Sequence, residues 1–260
     1  LRVADCVKRK EKNVTEKLFA RLDEKKARLD VHRPLPPAIL EKLAEYFRVD
    51  WTYNSNAIEG SSVTLAETRA ILLDGVTVDG KPMREHLEVI NHSHAIDFVE
   101  ALVNKSEPIN EMTIREIHAL VLRVINDENA GSYRRGNVRI AGSQVVLPDV
   151  SQVAPLMYDF SKWIADEARF LHPVEQAALA HYKLVRNHPF IDGNGRTARL
   201  LMNLILMRAG FPVAVIEMEN RAKYYEAIHQ ADTGNTDAFI EIVANAVERS
   251  LDIYLDAIPR

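Results

Sequence analysis

Seven of the eight residues from 200 to 207 are apolar: Leu200, Leu201, Met202, Leu204, Ile205, Leu206 and Met207. A helix that is apolar nearly all round cannot lie at a surface, so this run predicts a buried central helix with the other elements packed around it. Gly210 and Pro212 follow it in the order that ends a helix. Immediately before it stand His188-Pro189-Phe190-Ile191-Asp192-Gly193-Asn194-Gly195-Arg196-Thr197-Ala198-Arg199. A glycine-bearing loop that opens a helix is suited to hold an anion. The first-turn N–H groups lack intrahelical partners and carry partial positive charge, and Gly193 and Gly195 let backbone approach a ligand closely. Arg196 and Arg199, three apart, are expected to share a face and reach the same anion.

The rest of the chain is also dominated by helical periodicity. Residues 3–29 are charged, with sparse apolar positions at Val14, Leu18, Leu22 and Leu29, which predicts an exposed helix docked by one stripe. A helix is expected from Pro37 to about Val49, and Thr64-Leu65-Ala66-Glu67 reads as a capping box opening a helix that ends near Gly75. Residues 81–104, 110–126 and 152–168 carry further helical spacing, as do 220–232 and 236–256. Val174, Ala177, Ala178, His181, Leu184 and Val185 define an amphipathic helix that must stop before Pro189, which puts His188 at its end, facing the anion loop. One segment departs from this pattern. Val138, Ile140, Val145, Val146 and Leu147 flank Ala141-Gly142-Ser143, a β-hairpin signal between Gly131 and Pro148.

The loop lacks the Gly-Lys-Ser/Thr of a P-loop, and no G-x-G-x-x-G follows a strand. A neutral histidine is available near pH 7 as a base. Asp192 can take part in holding Mg²⁺ when nucleotide phosphates supply the remaining ligands. Such residues suit deprotonation of a hydroxyl and its attack on phosphorus.

The spacing His-x-Phe-x-Asp-Gly-Asn-Gly-Arg-x-x-Arg, with all eight specified positions filled, resembles the defining motif of the Fic (Fido) family. The resemblance implies an all-α helical bundle around a buried central helix, with a small β-hairpin flap at about 136–148. It implies a nucleotidyltransferase that moves AMP from ATP, with Mg²⁺, to a Ser, Thr or Tyr hydroxyl of a protein. His188 would be the general base and Asp192 the Mg²⁺ ligand. Gly193, Asn194 and Gly195 would form the anion hole, with Arg196 and Arg199 on the outer phosphates and Thr197 in the same nucleotide-binding loop. Val138, Ile140 and Gly142 of the flap, the Tyr224-Tyr225 pair and Asp232 would complete the nucleotide site, Asp232 standing where many relatives carry Asn. Ser55-Asn56-Ala57-Ile58-Glu59-Gly60 is similar to the family's inhibitory motif, with Glu59 set against Arg199 and Gly60 ending a helix at about 54–60. On this basis residues 1–50 form an N-terminal helical extension and 51–260 the Fic domain. The kinase-like branch of the superfamily carries a lysine in the glycine loop, whereas Gly193 and Gly195 are intact here. Net removal of AMP at the same site, and a nucleotide-sensing module, are the alternative functions. Relatives also imply a homodimer and self-modification.

Composition bounds these expectations. A net charge of −4 argues against broad nucleic-acid binding. A single cysteine, Cys6, leaves no internal disulfide and fits a reducing compartment. No apolar run approaches the roughly 20 residues of a bilayer span. No membrane association and a cytoplasmic setting, bacterial or archaeal rather than an animal secretory lumen, are therefore expected.

Overall fold

The computed structural model describes residues 2–105, 107–140 and 145–258, with side chains from Thr15 onward. Its helices are α1 (Arg2–Asp30), α2 (Pro37–Ile58), α3 (Leu65–Arg69), α4 (Met83–Val103), α5 (Glu111–Leu122), α6 (Val150–Asp166), α7 (Pro173–Asn187), α8 (Asn194–Arg208), α9 (Arg221–Asp232) and α10 (Asp237–Asp256). Among the described residues there is no strand, and no helix is long and apolar enough to cross a membrane.

The expected central helix is α8. Every residue from Arg196 to Ile205 is buried, and α8 packs against α7 on one side and α4 and α5 on the other. Between Arg199 and Arg208 its one polar side chain, Asn203, is satisfied by bonds to both the N–H (2.8 Å) and the carbonyl (3.2 Å) of Ala214, so the amide is buried without an orphaned group. Around this pair, α10 lies against α7 and α9, and α1 lies along α10. The apolar stripe of α1 behaves as its spacing predicts. Leu18, Leu22 and Leu29 are buried, while Lys25 pairs with Glu248 and Asp252 at the edge; Val14 lies outside the residues whose side chains are described. Three buried leucines contribute roughly 5–9 kcal/mol, whereas each exposed ion pair adds less than about 1, so the stripe decides the docking.

One boundary, and the internal form of one helix, differ from the expectation. First, α2 does not stop near Val49; it runs unbroken to Ile58, passing through residue 50. No helix breaker intervenes, Trp51 and Ile58 continue the apolar face, and the polar residues between them are buried with partners. Asn54, for example, donates to the Asp50 carbonyl and carboxylate and accepts from the Met218 N–H. Gly60, with φ +102°, then turns the chain. Second, the capping box at Thr64 and Glu67 is formed, but the helix it opens relaxes into a single π turn at Ala70–Asp74 before Gly75 stops it in the left-handed conformation.

The predicted hairpin at 131–148 is not a β-ladder among the described residues. Its ends are closed by side chains. Arg134 donates to the carbonyls of Gly136 and Pro148, and Asn137 bonds the Asp149 carboxylate and the Val150 N–H. Those backbone groups are therefore taken, and Pro148 has no N–H to offer. The segment's described parts, to 140 and from 145, are cinched at the base and lead into α6 through a capping box of Asp149 and Gln152.

Candidate functional site

The site is built where α7 ends and α8 begins. His188 caps α7 in the left-handed conformation (φ +46°), its N–H bonded to the Leu184 carbonyl at 3.0 Å. A non-glycine residue at positive φ is strained and needs support. Arg134 supplies it: the buried guanidinium donates to the His188 carbonyl (2.9 Å), and the Arg134 N–H donates to the Pro189 carbonyl (2.8 Å). The arginine that closes the 136–148 loop therefore also holds the histidine. Burial holds the imidazole below its ordinary value, the Val185 backbone opposing and the Arg134 charge adding to the effect, so His188 is neutral at pH 7.

The loop between the helices is locked from within. The Asn194 amide accepts from the Phe190 N–H (3.0 Å) and donates to the Phe190 carbonyl (2.9 Å), so its side chain is a latch and only its backbone faces a ligand. His118 stacks on Phe190 (3.6 Å between centroids). Its Nδ1 accepts from the Gly131 N–H, so Nε2 carries the proton and donates to the Asp192 carbonyl at 3.0 Å. Burial lowers its pKa to about 4, which keeps this tautomer in place. Gly193 is left-handed (φ +76°), and a Cβ there would press on Val121 and His118. The first intrahelical bond of α8 runs from the Thr197 N–H to the Gly193 carbonyl, which leaves the N–H groups of Asn194, Gly195 and Arg196 without helical partners.

That anion cradle already holds a carboxylate. Glu59 lies against Gly195, where a Cβ would run into its Oε1 and crowd Arg199. The same Oε1 accepts from Arg199 Nη2 at 2.7 Å. Arg199 is 2% exposed, and each of its nitrogens is engaged: Nε with the Ser55 hydroxyl (3.0 Å), Nη2 also with the Ser55 carbonyl (2.8 Å), and Nη1 with the Tyr224 hydroxyl (3.2 Å). Burial disfavours the charge, but Glu59 and the tyrosines outweigh it and raise the pKa. Tyr224 in turn donates to His181 Nε2 (3.1 Å), and burial keeps that histidine neutral. The Ser-x-x-x-Glu spacing thus places a hydroxyl, a carbonyl and a carboxylate on one turn of α2, all directed at one arginine. One residue not anticipated from sequence secures that turn. Arg221 donates to the Ile58 carbonyl at 2.8 Å, as suits a cation at a helix C-terminus, and its guanidinium lies over the Tyr225 ring.

A cleft of about 660 Å³ opens in front of these groups. His188, Glu59, Asn194 and Gly195 line one part, and Ile140, Tyr224, Tyr225 and Asp232 are also in its wall. Asp232 is held by the Tyr182 hydroxyl (3.1 Å) and by Arg186 (3.3 Å), which also donates to the Val146 carbonyl of the loop. Not every expected residue reaches this cleft. Val138 belongs to a neighbouring groove on the outer side of the loop, Thr197 buries its hydroxyl in the core, and Gly142 lies outside the described residues. Arg196 and Arg199 do not converge either. Three residues turn a helix by about 300°, so the two point some 60° apart. Arg199 is drawn to α2, whereas Arg196 is buried against α4, pairing with Glu88 (3.2 Å) and Asp192 (3.4 Å).

Asp192 lies at the rim. Its Oδ1 accepts from the Gly193 N–H (2.6 Å) and from Arg196, and its Oδ2 from Arg84 Nη2 (2.7 Å), a partner that sequence reasoning missed. Burial pushes its pKa up, but Arg196, the Gly193 N–H and Arg84 together bring it below the ordinary value, so it is ionised at neutral pH. An ionised, half-exposed carboxylate is a suitable oxygen donor for Mg²⁺. No group of three or more acid, histidine or cysteine side chains that could hold a metal occurs among the described residues. Phosphate oxygens and water would have to complete the shell, as is usual for this ion.

Residues 108–206 match the model of the Fic/DOC family. Protein adenylyltransferase Fic of Nematostella vectensis is 42% identical over 252 residues, 95% of this chain and 57% of the relative. The protein of the same name from Aedes aegypti is 40% identical over 245 residues, 94% of this chain and 48% of the relative. The chain thus spans about half the length of the curated relatives it matches. Among solved structures, Fic-1 (residues 134–508) of C. elegans superposes with a TM-score of 0.87 at 35% identity, covering 95% of this chain and 73% of that one. A Fic domain containing signaling protein from Bacteroides thetaiotaomicron gives 0.84 at 30% identity, covering 92% and 97%.

Proposed function

Because this chain belongs to the Fic/DOC family, we propose that it is a protein adenylyltransferase held in an inhibited state by its own Glu59. The observation that carries the proposal is the carboxylate of Glu59 seated on Gly195 and bonded to Arg199, in a cradle whose free N–H groups and arginine are otherwise suited to phosphates. In this reading the triphosphate of ATP lies along the N-terminus of α8, with the backbone of Gly193, Asn194 and Gly195 against it and Arg199 on the outermost phosphate. The target hydroxyl meets His188, whose neutral imidazole takes its proton. The oxygen then forms a bond to the α-phosphorus, the α–β phosphoanhydride bond breaks, and pyrophosphate leaves with the displaced electron pair. Asp192 would hold Mg²⁺, which when bound neutralises the phosphate charge that develops. An extended target segment lies along the backbone on either side of residues 141–144, at Ile140, Val145 and Leu147 on the cleft wall.

The nucleotide base occupies the wall formed by Ile140, Tyr225 and Asp232. Residues 51–260 are taken as the catalytic unit and 1–50 as an extension docked on α10. The partner is a protein with an accessible Ser, Thr or Tyr, a second copy of this chain included, and the single cysteine supports a reducing, cytoplasmic setting. One observation favours a second activity. Glu59 faces the same cleft as His188 and is one-third exposed (34%), so it can orient a water toward an AMP–protein bond and remove AMP.

The test compares wild type, Glu59→Gly and His188→Ala with α-labelled and γ-labelled ATP. The expected result is α-label on protein, strongest for Glu59→Gly and absent for His188→Ala. Label arriving from the γ position would make the enzyme a kinase and overturn the proposal. Release of AMP from a pre-modified target by wild type, lost in Glu59→Gly, would establish the second activity.

A further inference from the structure

Arg84, in the first turn of α4, has no role in the chemistry described above, yet it makes the closest ion pair to Asp192. Its Nη2 is 2.7 Å from Asp192 Oδ2 and its Nε is 3.1 Å from Glu88 Oε1. Glu88 is 3.2 Å from Arg196, which closes a ring of two acids and two bases by its contact with Asp192 Oδ1. The members of this ring differ in one respect. Oδ1 of Asp192 is committed to the buried Gly193 N–H and the 3%-exposed Arg196. Oδ2 has Arg84 as its ion-pair partner, and the Arg84 side chain is 58% exposed. The one oxygen of Asp192 free to turn to an outside cation is therefore the one that Arg84 covers.

We propose that Arg84 is an exchangeable counter-ion, displaced from Asp192 when a divalent cation enters, and that it sets how tightly the site takes its metal. The proposal rests on Asp192 being the metal ligand of the AMP-transfer reading. Three features carry it. Both ligands seek the same oxygen, and a guanidinium and a divalent cation repel each other strongly when both are held on it at contact distance. Arg84 has somewhere to go, because Glu88, four residues later on the same helix face, retains its Nε while Nη2 swings outward into water. The exchange also limits charge. The ring is neutral as it stands, and at Asp192 Oδ2 a singly charged partner is exchanged for a doubly charged one at the moment an anionic nucleotide arrives, while Arg84 keeps only its Nε contact with Glu88. Without Arg84 the empty site would present Oδ2 of Asp192 without its ion-pair partner to the incoming phosphates. Arg84 thus favours the metal-free apo state and makes metal entry depend on nucleotide.

The experiment uses the full chain in the Glu59→Gly background and an α,β-methylene analogue of ATP that cannot be cleaved at the reacting bond. Calorimetry gives its affinity in excess Mg²⁺ and in EDTA, and the ratio of the two measures how much the metal contributes. Arg84→Gln is expected to raise that ratio about fivefold, through tighter metal-dependent and weaker metal-free binding, the size of one surface ion pair. Arg84→Lys, which keeps the charge, is expected to stay within about twofold of the parent. Asp192→Asn is expected to collapse the ratio. If Asp192→Asn collapses the ratio but Arg84→Gln leaves it unchanged or lower, the counter-ion role is overturned while the metal assignment stands. A ratio unaffected by Asp192→Asn overturns the metal assignment, and the role of Arg84 with it.

Discussion

Removing the Glu59 carboxylate should weaken the protein and strengthen its hold on ATP, and the two effects can be sized separately. Arg199 is 2% exposed and keeps Ser55 and Tyr224 as partners, so Glu59→Gly removes one charge-assisted hydrogen bond of 2.7 Å and leaves the guanidinium under-compensated. Such a bond is worth about 1.5–3 kcal/mol. The Glu59 side chain is one-third exposed (34%), so the low end applies, about 1.5 kcal/mol, or a fall of about 3–6 °C in Tm for a chain of this size. For ATP, the variant frees Arg199 for a phosphate, again about 1.5 kcal/mol or more. It also removes a repulsion worth about 1–3 kcal/mol for a phosphate charge some 5 Å from a carboxylate, at effective dielectric constants between ~80 and ~20. The combined gain is at least about 2 kcal/mol, or about 30-fold in affinity, and it should fall on ATP far more than on ADP if the outermost phosphate meets Arg199 as proposed. Thermal unfolding and calorimetry read both effects on one sample: a lower Tm without ligand, and a larger rise with ATP. Glu59→Gln keeps the volume and an acceptor for Arg199 but no charge, so it should retain nearly wild-type stability and gain about fivefold for ATP. An ATP-to-ADP preference in Glu59→Gly equal to that of wild type would refute the assignment of Arg199 to the outer phosphate and of Glu59 as its competitor.

Arg134→Ala should cost about 2–3 kcal/mol in urea unfolding, since it orphans the carbonyls of His188, Gly136 and Pro148 together, and limited proteolysis should then cut within 136–148. Arg134→Lys should not restore activity, because an ammonium cannot reproduce the fork that reaches those carbonyls. The acid limb of kcat/KM should lie below pH 6.5, because burial depresses the His188 pKa and the base is lost only as pH falls through that lowered value; a limb centred above pH 7 would exclude His188 as the base. Stability should also fall between pH 6.5 and about 4, where the unfolded chain binds a proton that folded His118 refuses; His118→Asn should flatten that part of the profile of unfolding free energy against pH. Asn194→Ala should lower kcat with a smaller change in nucleotide affinity, since it unlatches both backbone groups of Phe190 at a cost of about 1–3 kcal/mol while leaving the α8 amides in place.

These expectations draw on residues of unequal visibility in sequence. The central helix was legible because Leu200–Met207 allows no exposed face, and the end of α7 because Pro189 forbids its continuation. The docking of α1 was legible as a stripe, since burial of Leu18, Leu22 and Leu29 follows from spacing alone. Alternation of apolar residues suggested a hairpin at 136–148, but alternation reports only which faces are apolar. Whether backbone groups pair with each other or with side chains depends on Arg134 and Asn137, whose partners are 12 or more residues away in sequence at Pro148, Asp149 and His188. The end of α2 was misplaced for the opposite reason. The polar run Asn54-Ser55-Asn56 hides the continuity of the 37–49 helix with the one expected at about 54–60, yet each of the three is buried, two of them bonded across to Met218 and Arg199.

The same distinction explains which parts of the site could be read. A short motif states its own geometry: Ser55 and Glu59 share a face because they are four apart, and Gly193 and Gly195 bracket a helix start. It does not state what it meets. Arg196 and Arg199 look equivalent within the motif, and only the neighbours separate them, with Ser55, Glu59 and Tyr224 around one and Glu88 and Asp192 around the other. The supporting residues His118, Arg134, Arg221 and Arg84 lie in four different segments and form no pattern, because each acts through a contact made by the fold. The consequence is a division of labour. The helix α2 reaches the proposed phosphate end of the site through Arg199, whereas α4 reaches its proposed metal end through Arg84 and Asp192. The two inputs meet at the loop that opens α8 and at its first turns, and neither touches His188 through a hydrogen bond. Inhibition at Glu59 and metal entry at Arg84 should therefore be separable: Glu59→Gly should change the ATP-to-ADP preference without removing the Mg²⁺ dependence, and Arg84→Gln should change the Mg²⁺ dependence without releasing Arg199.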